Sequence, residues 1–389
     1  MGLPNVYIIV NRSGLGQVAF TNDGIMGILL VGSGVSGKLV LNTPYSIFSL
    51  ADAEKLGIEK TGSNAHAWKQ IKEFYDDGGS GKKLWILLHN EELMSESVDG
   101  TQSVAHKLID GANGEIAVLG VTRGNSPSNE IVDGLNEDVI PTIIAAQLLA
   151  NEYQKKIMPF SCVIDGLGYD GDADVVPDLK QRNDHRCSVV LSASANDGVA
   201  SVGQLLGRLA SVPVQRKASR IKDGALTNLE GFLTDGSKVD KELVGDLGTL
   251  HDKGYIVYRT IPGRTGFFYS GDPSATLPTD DLNTISRNRI IDKVLKIAYN
   301  VYVEELDDDV PMTASGNIEA AVCGYLKNKI ENQVNGNMAD EISSFSAFID
   351  PEQNLLSGAP LEISLSIVPM AYLSEIKVTI GFVNPLLTT

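Results

Sequence analysis

From about residue 20 to residue 270, short apolar runs alternate with stretches of helical period, and this most restricts what the chain can fold into. Ile25–Val31 reads as a buried strand, and Leu39–Leu41 as another after a Gly/Ser turn. Ser49–Leu56 reads as a short helix entered at Ser49, with Asp52 near the free N–H groups of its first turn. Trp68, Ile71 and Tyr75 fall at helical spacing in 65–75, and Lys83–His89 is a strand. Val98–Ile109, Ile116–Val121, Ile140–Tyr153 and Phe160–Asp165 then read helix, strand, helix, strand. Ser188–Ser192 is a further strand, and Val199, Val202, Leu205, Leu206 and Leu209 share one helical face. Tyr255–Thr260 and Thr265–Tyr269 read as a hairpin. Strands without alternation need cover on both faces, so interleaved helices predict a layered mixed-sheet α/β domain.

Around Gly271–Thr279 the character changes, with Pro262, Pro273 and Pro278 close together. Thr279 is placed to cap a long helix, Asp280–Asn300, whose apolar face includes Ile285, Ile291, Val294, Leu295 and Ala298. An acidic loop (Glu304, Glu305, Asp307, Asp308, Asp309) precedes a second helix, Ser315–Val334. Two period-two strands close the chain. In one, Leu361, Ile363, Leu365 and Ile367 alternate with polar residues; in the other, Ile376, Val378, Ile380 and Phe382 do, and the two can pair. An α+β domain is therefore expected from residue 271 onward. At the other end, Val6, Tyr7, Ile8, Ile9 and Val10 form a strand-like run without alternation. It reads either as the first strand of an internal sheet or as an arm that pairs elsewhere.

Acids outnumber bases 49 to 32, and the net charge of −17 leaves no basic footprint for nucleic acid. Residues 271–389 alone carry 17 acids against 7 bases. No apolar run is long enough to span a bilayer and no leader pattern opens the chain, so a soluble protein made in the cytoplasm is expected, with no membrane contact. The three cysteines are far apart and no metal-binding His pattern occurs, so neither a disulfide framework nor a metal is expected.

Gly32, Gly34, Gly37 and Lys38 spell both GxGxxG and GxxxxGK after a strand, which would aim N–H groups at phosphate. Position 39 is Leu rather than Ser or Thr, and Asn42-Thr43-Pro44 follows where a helix should open. A Gly-rich turn is the better reading, and a nucleotide-binding enzyme is the alternative kept. Asp170-Gly171-Asp172-Ala173-Asp174 resembles the start of a calcium loop but has Val175 and Gln181 where Gly and Glu are needed. No nucleophile signature occurs, and no catalytic residue or cofactor is assigned.

Several stretches together resemble the contractile tail sheath proteins of phages and related injection systems. They are 42–57 (NTPYSIFSLADAEKLG), 67–75 followed by Gly78-Gly79 and a strand, 250–256 with 266–269, and above all 279–293 (TDDLNTISRNRIIDK). The last resembles the helix that opens the sheath C-terminal domain. The likeness covers nearly the whole chain and is of the compact class, without large inserted outer domains. It implies an N-terminal arm at 1–20, an α/β domain at 21–270, a sheath-type α+β domain at 271–370 and a C-terminal strand arm at 371–389. It also implies a non-enzymatic subunit that stacks as hexameric rings around an inner tube, within a virion tail or injection particle, with baseplate and terminator proteins as further partners. Another structural tail component, such as a terminator, is the second alternative. On this resemblance Val6–Val10 and Ile376–Val383 become strands that pair with neighbouring subunits. Arg287, Arg289, Lys293 and Lys296 make the 280–300 helix the most basic element of an acidic domain and suggest that it faces the tube or another subunit. The competing reading pairs these bases with Asp292 and nearby acids.

Overall fold

The computed structural model describes residues 23–124, 130–240 and 243–382. The expected α/β layering is present. Its centre is a seven-stranded mixed sheet formed by β1 (Met26–Val31), β2 (Pro44–Ile47), β3 (Leu84–His89), β4 (Val118–Val121), β5 (Ser161–Asp165), β6 (Cys187–Val190) and β7 (Tyr255–Ile256). The spatial order is β7-β6-β5-β4-β1-β3-β2, parallel throughout except for β2 at one edge. β1 is central and its apolar run is buried on both faces, as a parallel strand requires.

Helices α1 (Leu50–Lys55), α2 (Ala65–Phe74), α3 (Met94–Val98), α4 (Val104–Gly111), α5 (Val139–Lys155) and α6 (Val202–Ser211) surround the sheet. α2 and α6 cover one face; α4 and α5, bridged by α3, cover the other. α6 approaches α2 unusually closely. Gly203 and Gly207 lie one turn apart, and a Cβ at either would overlap the carbonyl oxygen of Gln70 or Phe74. Ser49 caps α1 as expected, accepting from the Asp52 N–H.

Several local expectations change. Leu39–Leu41 is not a strand: Leu39 makes only an isolated bridge to Val35 across the glycine turn, and Asn42, at φ 57°, breaks the chain before β2. The single helix expected over 98–109 is two helices, because Asp99 is extended and Gly100 sits at φ 81°, a left-handed turn that glycine adopts without strain. Tyr255–Thr260 divides its duties. Tyr255 and Ile256 join the large sheet, and Tyr258–Arg259 forms the expected hairpin with Phe268–Tyr269.

Beyond residue 280, α7 (Ile285–Tyr302) and α8 (Ala320–Met338) pack against a two-stranded sheet of β8 (Ile342–Ile349) and β9 (Ile363–Pro369). α7 starts later than expected. Thr284, not Thr279, is its cap, accepting from the Arg287 N–H, and Asp280 is spent in a turn with the Leu282 N–H. β8 carries no clean alternation because a register shift between Ile342 and Ser344 interrupts it; Ile342, Phe345, Ala347 and Ile349 nevertheless all face inward. β9 pairs with β8 and not with 376–382, which forms no strand within the chain.

Candidate assembly interface

Where the two halves meet, α7 is fastened by buried charge. Arg186, at the start of β6, is fully buried, and its Nη1 donates to both carboxylate oxygens of Asp292 at 2.6 and 2.7 Å. Burial raises the Asp292 pKa, and the guanidinium opposes that rise. Arg289 donates through Nη2 to the backbone oxygens of Asp23 at 2.9 Å and Val212 at 3.3 Å. Burial lowers its pKa to about 10, so it stays charged at neutral pH. Lys293 lies between Asp23 and Glu341 at 2.7 and 2.8 Å; burial works against its charge, but those two carboxylates outweigh it and raise its pKa. Lys296 donates to the Gly114 carbonyl at 3.1 Å.

These positions correct the expectation of a tube-facing basic helix. Arg289 and Lys293 are buried inside the subunit and do not offer a surface to a partner, while Lys296 is half-exposed and bonded to its own first half. The partner of Asp292 is also not a base on its own helix but Arg186, over a hundred residues away in sequence. Arg287 is half-exposed, bonded to Asp281 and Asn283 at its own helix start.

The surface that remains open lies beside this seam. Among the described residues, β8 and β9 pair only with each other, so the outer edge of β9 has unpaired backbone groups. Next to it, an apolar groove of about 510 Å³ runs between α7 (Val294, Leu295, Ala298, Tyr302) and the inward side chains Leu365 and Ile367 of β9. The chain then leaves through Tyr372, whose hydroxyl donates to the Gln215 carbonyl at 2.6 Å and lies 3.3 Å from Ser286 Oγ, with the Lys217 ammonium 4.7 Å from its ring. After this anchor the described residues 373–382 are exposed. Leu373, Ile376, Val378, Ile380 and Phe382 are 71 to 109% exposed, an apolar row with a strand's period and no partner face in its own subunit. Val6–Val10 and Val383 lie outside the described residues.

The other singled-out motifs resolve into local structure. In the Gly32–Lys38 loop, the Gly32 N–H bonds the His89 carbonyl, the Ser33 N–H bonds Asn64 Oδ1 at 2.7 Å, and the Val35, Lys38 and Leu39 N–H groups close a turn. The next helix begins only at Leu50, so these donors do not form a phosphate cradle. Asp170 and Asp172 accept from N–H groups two residues on, as Asx turns. Asp307–Asp309 is an exposed loop.

Among the buried acids that the sequence did not single out, one sits in a hydrogen-bonded cluster at a strand end. Asp165, at the end of β5, accepts from the Ala200 N–H at 3.1 Å and the Thr122 hydroxyl at 2.9 Å, and Thr122 also meets His66 Nε2 at 3.2 Å. Burial pushes the Asp165 pKa up to about 7 against these donors and Lys69, while Asp197 raises it further. Because the folded value exceeds the ordinary one near 4, the stabilisation is full below about pH 4 and is lost as pH rises through about 7. Asp165→Asn is expected to flatten that slope, which urea unfolding across this range checks; an unchanged slope would contradict it.

The sequence matches two family models: DUF2586, N-terminal domain, over residues 3–272, and DUF2586, C-terminal domain, over residues 281–387. No curated protein sequence matches it. Among solved structures, the contracted helical sheath of the anti-feeding prophage superposes with a TM-score of 0.64 at 12% identity, over 98% of this chain and 99% of that one. The contracted PVC sheath complex of an extracellular contractile injection system gives 0.61 at 11% identity, over 98% of both chains. A sheath tail protein from Desulfitobacterium hafniense gives 0.52 at 9%, over 93% of this chain and 100% of that one. At these identities the likeness establishes a shared fold.

Proposed function

The chain belongs to the DUF2586 family, and from its fold we propose that it is the structural subunit of a contractile sheath, without enzymatic activity of its own. In this reading, subunits stack as hexameric rings around an inner tube in a phage tail or injection particle assembled in the bacterial cytoplasm. They shorten by exchanging one set of interfaces for a larger one. Baseplate, tube and terminator proteins are the remaining partners.

The observation that carries the reading is the exposed apolar arm at 376–382 in a subunit that also leaves a strand edge of equal length open. An added strand would gain a row of main-chain hydrogen bonds and a dry face. Four side chains of this kind are worth about 6–12 kcal/mol when buried. Ordering seven backbone residues costs about 7–14 kcal/mol. One arm is therefore marginal, and many arms acting together in a lattice are what hold. Such joints stay connected while subunits rotate as nearly rigid bodies, and the buried ion pairs along α7 favour that rigidity.

Electron microscopy of the purified chain tests this. Long hollow striated tubes are expected; rings of fixed size would support the terminator alternative, and monomers at every concentration, with or without an inner tube, would contradict the reading.

A further inference from the structure

We infer that a basic patch around residues 216–222 of one chain takes the acidic loop 304–309 of a second copy. The inference rests on the sheath reading and names the charges that would orient one subunit on the next. In a chain of net charge −17, four of the seven residues 216–222 are basic: Arg216, Lys217, Arg220 and Lys222. Two carboxylates answer them. Asp223 is shared by Arg216, at 3.6 Å, and Arg220, while the buried Asp272 lies 4.0 Å from Lys217. The hairpin of Tyr258–Arg259 with Phe268–Tyr269 enlarges the patch. It lies against the end of this segment, where the Leu226 N–H donates to the Phe267 carbonyl at 2.9 Å, and it carries Arg259 and Arg264. Burial lowers the pKa of the neighbouring His251, and the charges of Lys180, Arg259 and Lys217 lower it further, against Asp252. Lys222, Arg259 and Arg264 are exposed, and no carboxylate among the described residues pairs with them.

The occupant is the 304–309 loop of another copy, and complementary charge selects it. Five of its six residues are acidic. Glu304, Asp307, Asp308 and Asp309 are exposed, and Lys329 is the base that meets Glu304 and Glu305. The two surfaces flank α7. The patch adjoins its start, where Tyr372 links Gln215 to Ser286, and the loop follows its end. A helix of 18 residues separates them by about 27 Å. That is well beyond the screening length of about 8 Å at physiological salt, so neither surface neutralises the other within one subunit. A contact between two different patches repeats from copy to copy and builds a ring or a helical stack. Exposed ion pairs add little affinity singly, so their part is to orient the subunits and fix their register.

The test uses two full-length variants. Lys222→Glu with Arg259→Glu and Arg264→Glu reverses the patch; Asp308→Lys with Asp309→Lys reverses the loop. All five positions are exposed, so the thermal midpoints are expected to match that of the parent chain. Light scattering gives the critical concentration for assembly. Each variant alone is expected to need about tenfold more protein than the parent at low salt, with a smaller gap at high salt. Mixed in equal amounts, the two are expected to polymerise near the parental concentration, because each reversed surface then meets the other's. Assembly of both variants alone at the parental concentration would overturn the contact and leave the sheath reading standing. Impaired variants that the mixture does not rescue would overturn the choice of occupant. A lowered midpoint would place these charges in the subunit's own fold and overturn the contact as well. Monomers of the parent chain at every concentration, with or without an inner tube, would remove the sheath reading and this contact together.

Discussion

Ile380→Asp is expected to abolish polymerisation and leave the isolated subunit untouched. Ile380 is 91% exposed, so the substitution in the free chain falls in the range of ordinary surface changes, within about 0.5 kcal/mol. Once the arm is laid into a neighbour's groove, the same carboxylate is trapped against aliphatic side chains. A penalty of even about 3 kcal/mol per joint raises the concentration needed for assembly more than a hundredfold. Sedimentation and electron microscopy read the assembly, and thermal unfolding reads the subunit. Tubes at normal yield would show that 376–382 is not an assembly strand, whereas a lowered melting temperature would show that it packs on its own subunit.

Arg186→Ala has the largest expected effect on the subunit itself. It leaves the Asp292 carboxylate buried without its counter-charge, for which about 3–5 kcal/mol is typical. The sign with pH follows from the carboxylate. Burial already raises the Asp292 pKa, and losing the guanidinium raises it further, so the folded variant holds a proton more tightly than the unfolded chain. The destabilisation is therefore greatest at high pH and shrinks as pH falls. Arg186→Met combined with Asp292→Leu removes both charges and is expected to recover most of the loss. Urea titrations of the three proteins at two pH values decide it. A small, pH-independent effect of the single variant would mean the pair does not fasten α7.

The layered sheet was legible because parallel strands buried on both faces need continuous apolar runs, and β1, β3 and β5 supply them. α7 and α8 were legible from their apolar stripes, although their starts were misread. Several threonines and aspartates precede α7, and only the tertiary partner Asp272, which takes the Ile285 and Ser286 N–H groups, selects Thr284 as the cap. β8 was missed because its register shift breaks the two-residue period. The bases of α7 were misassigned for a related reason. Arginine and lysine are usually exposed, and nothing local reveals that Arg289 reaches Asp23 and Val212 or that Asp292 meets Arg186. The apolar alternation at 376–382 was plain in the sequence. The groove was not, because it forms only where Leu365 and Ile367 of β9 come beside Val294 and Ala298 of α7.

The central claim is that the arm of one copy pairs with the β9 edge of another, and cross-linking between chains tests it most directly. All three native cysteines are buried and unpaired, so introduced thiols dominate the surface chemistry. Chains carrying Ser366→Cys, on the outward face of β9, are mixed with chains carrying Lys377→Cys, Thr379→Cys or Gly381→Cys, on the matching face of the arm, and assembled under mild oxidation. A covalent heterodimer with one of the three is predicted, identifying the register. Polymers that give no heterodimer with any of them, or a dilute doubly substituted chain that closes the bond within itself, would contradict the account.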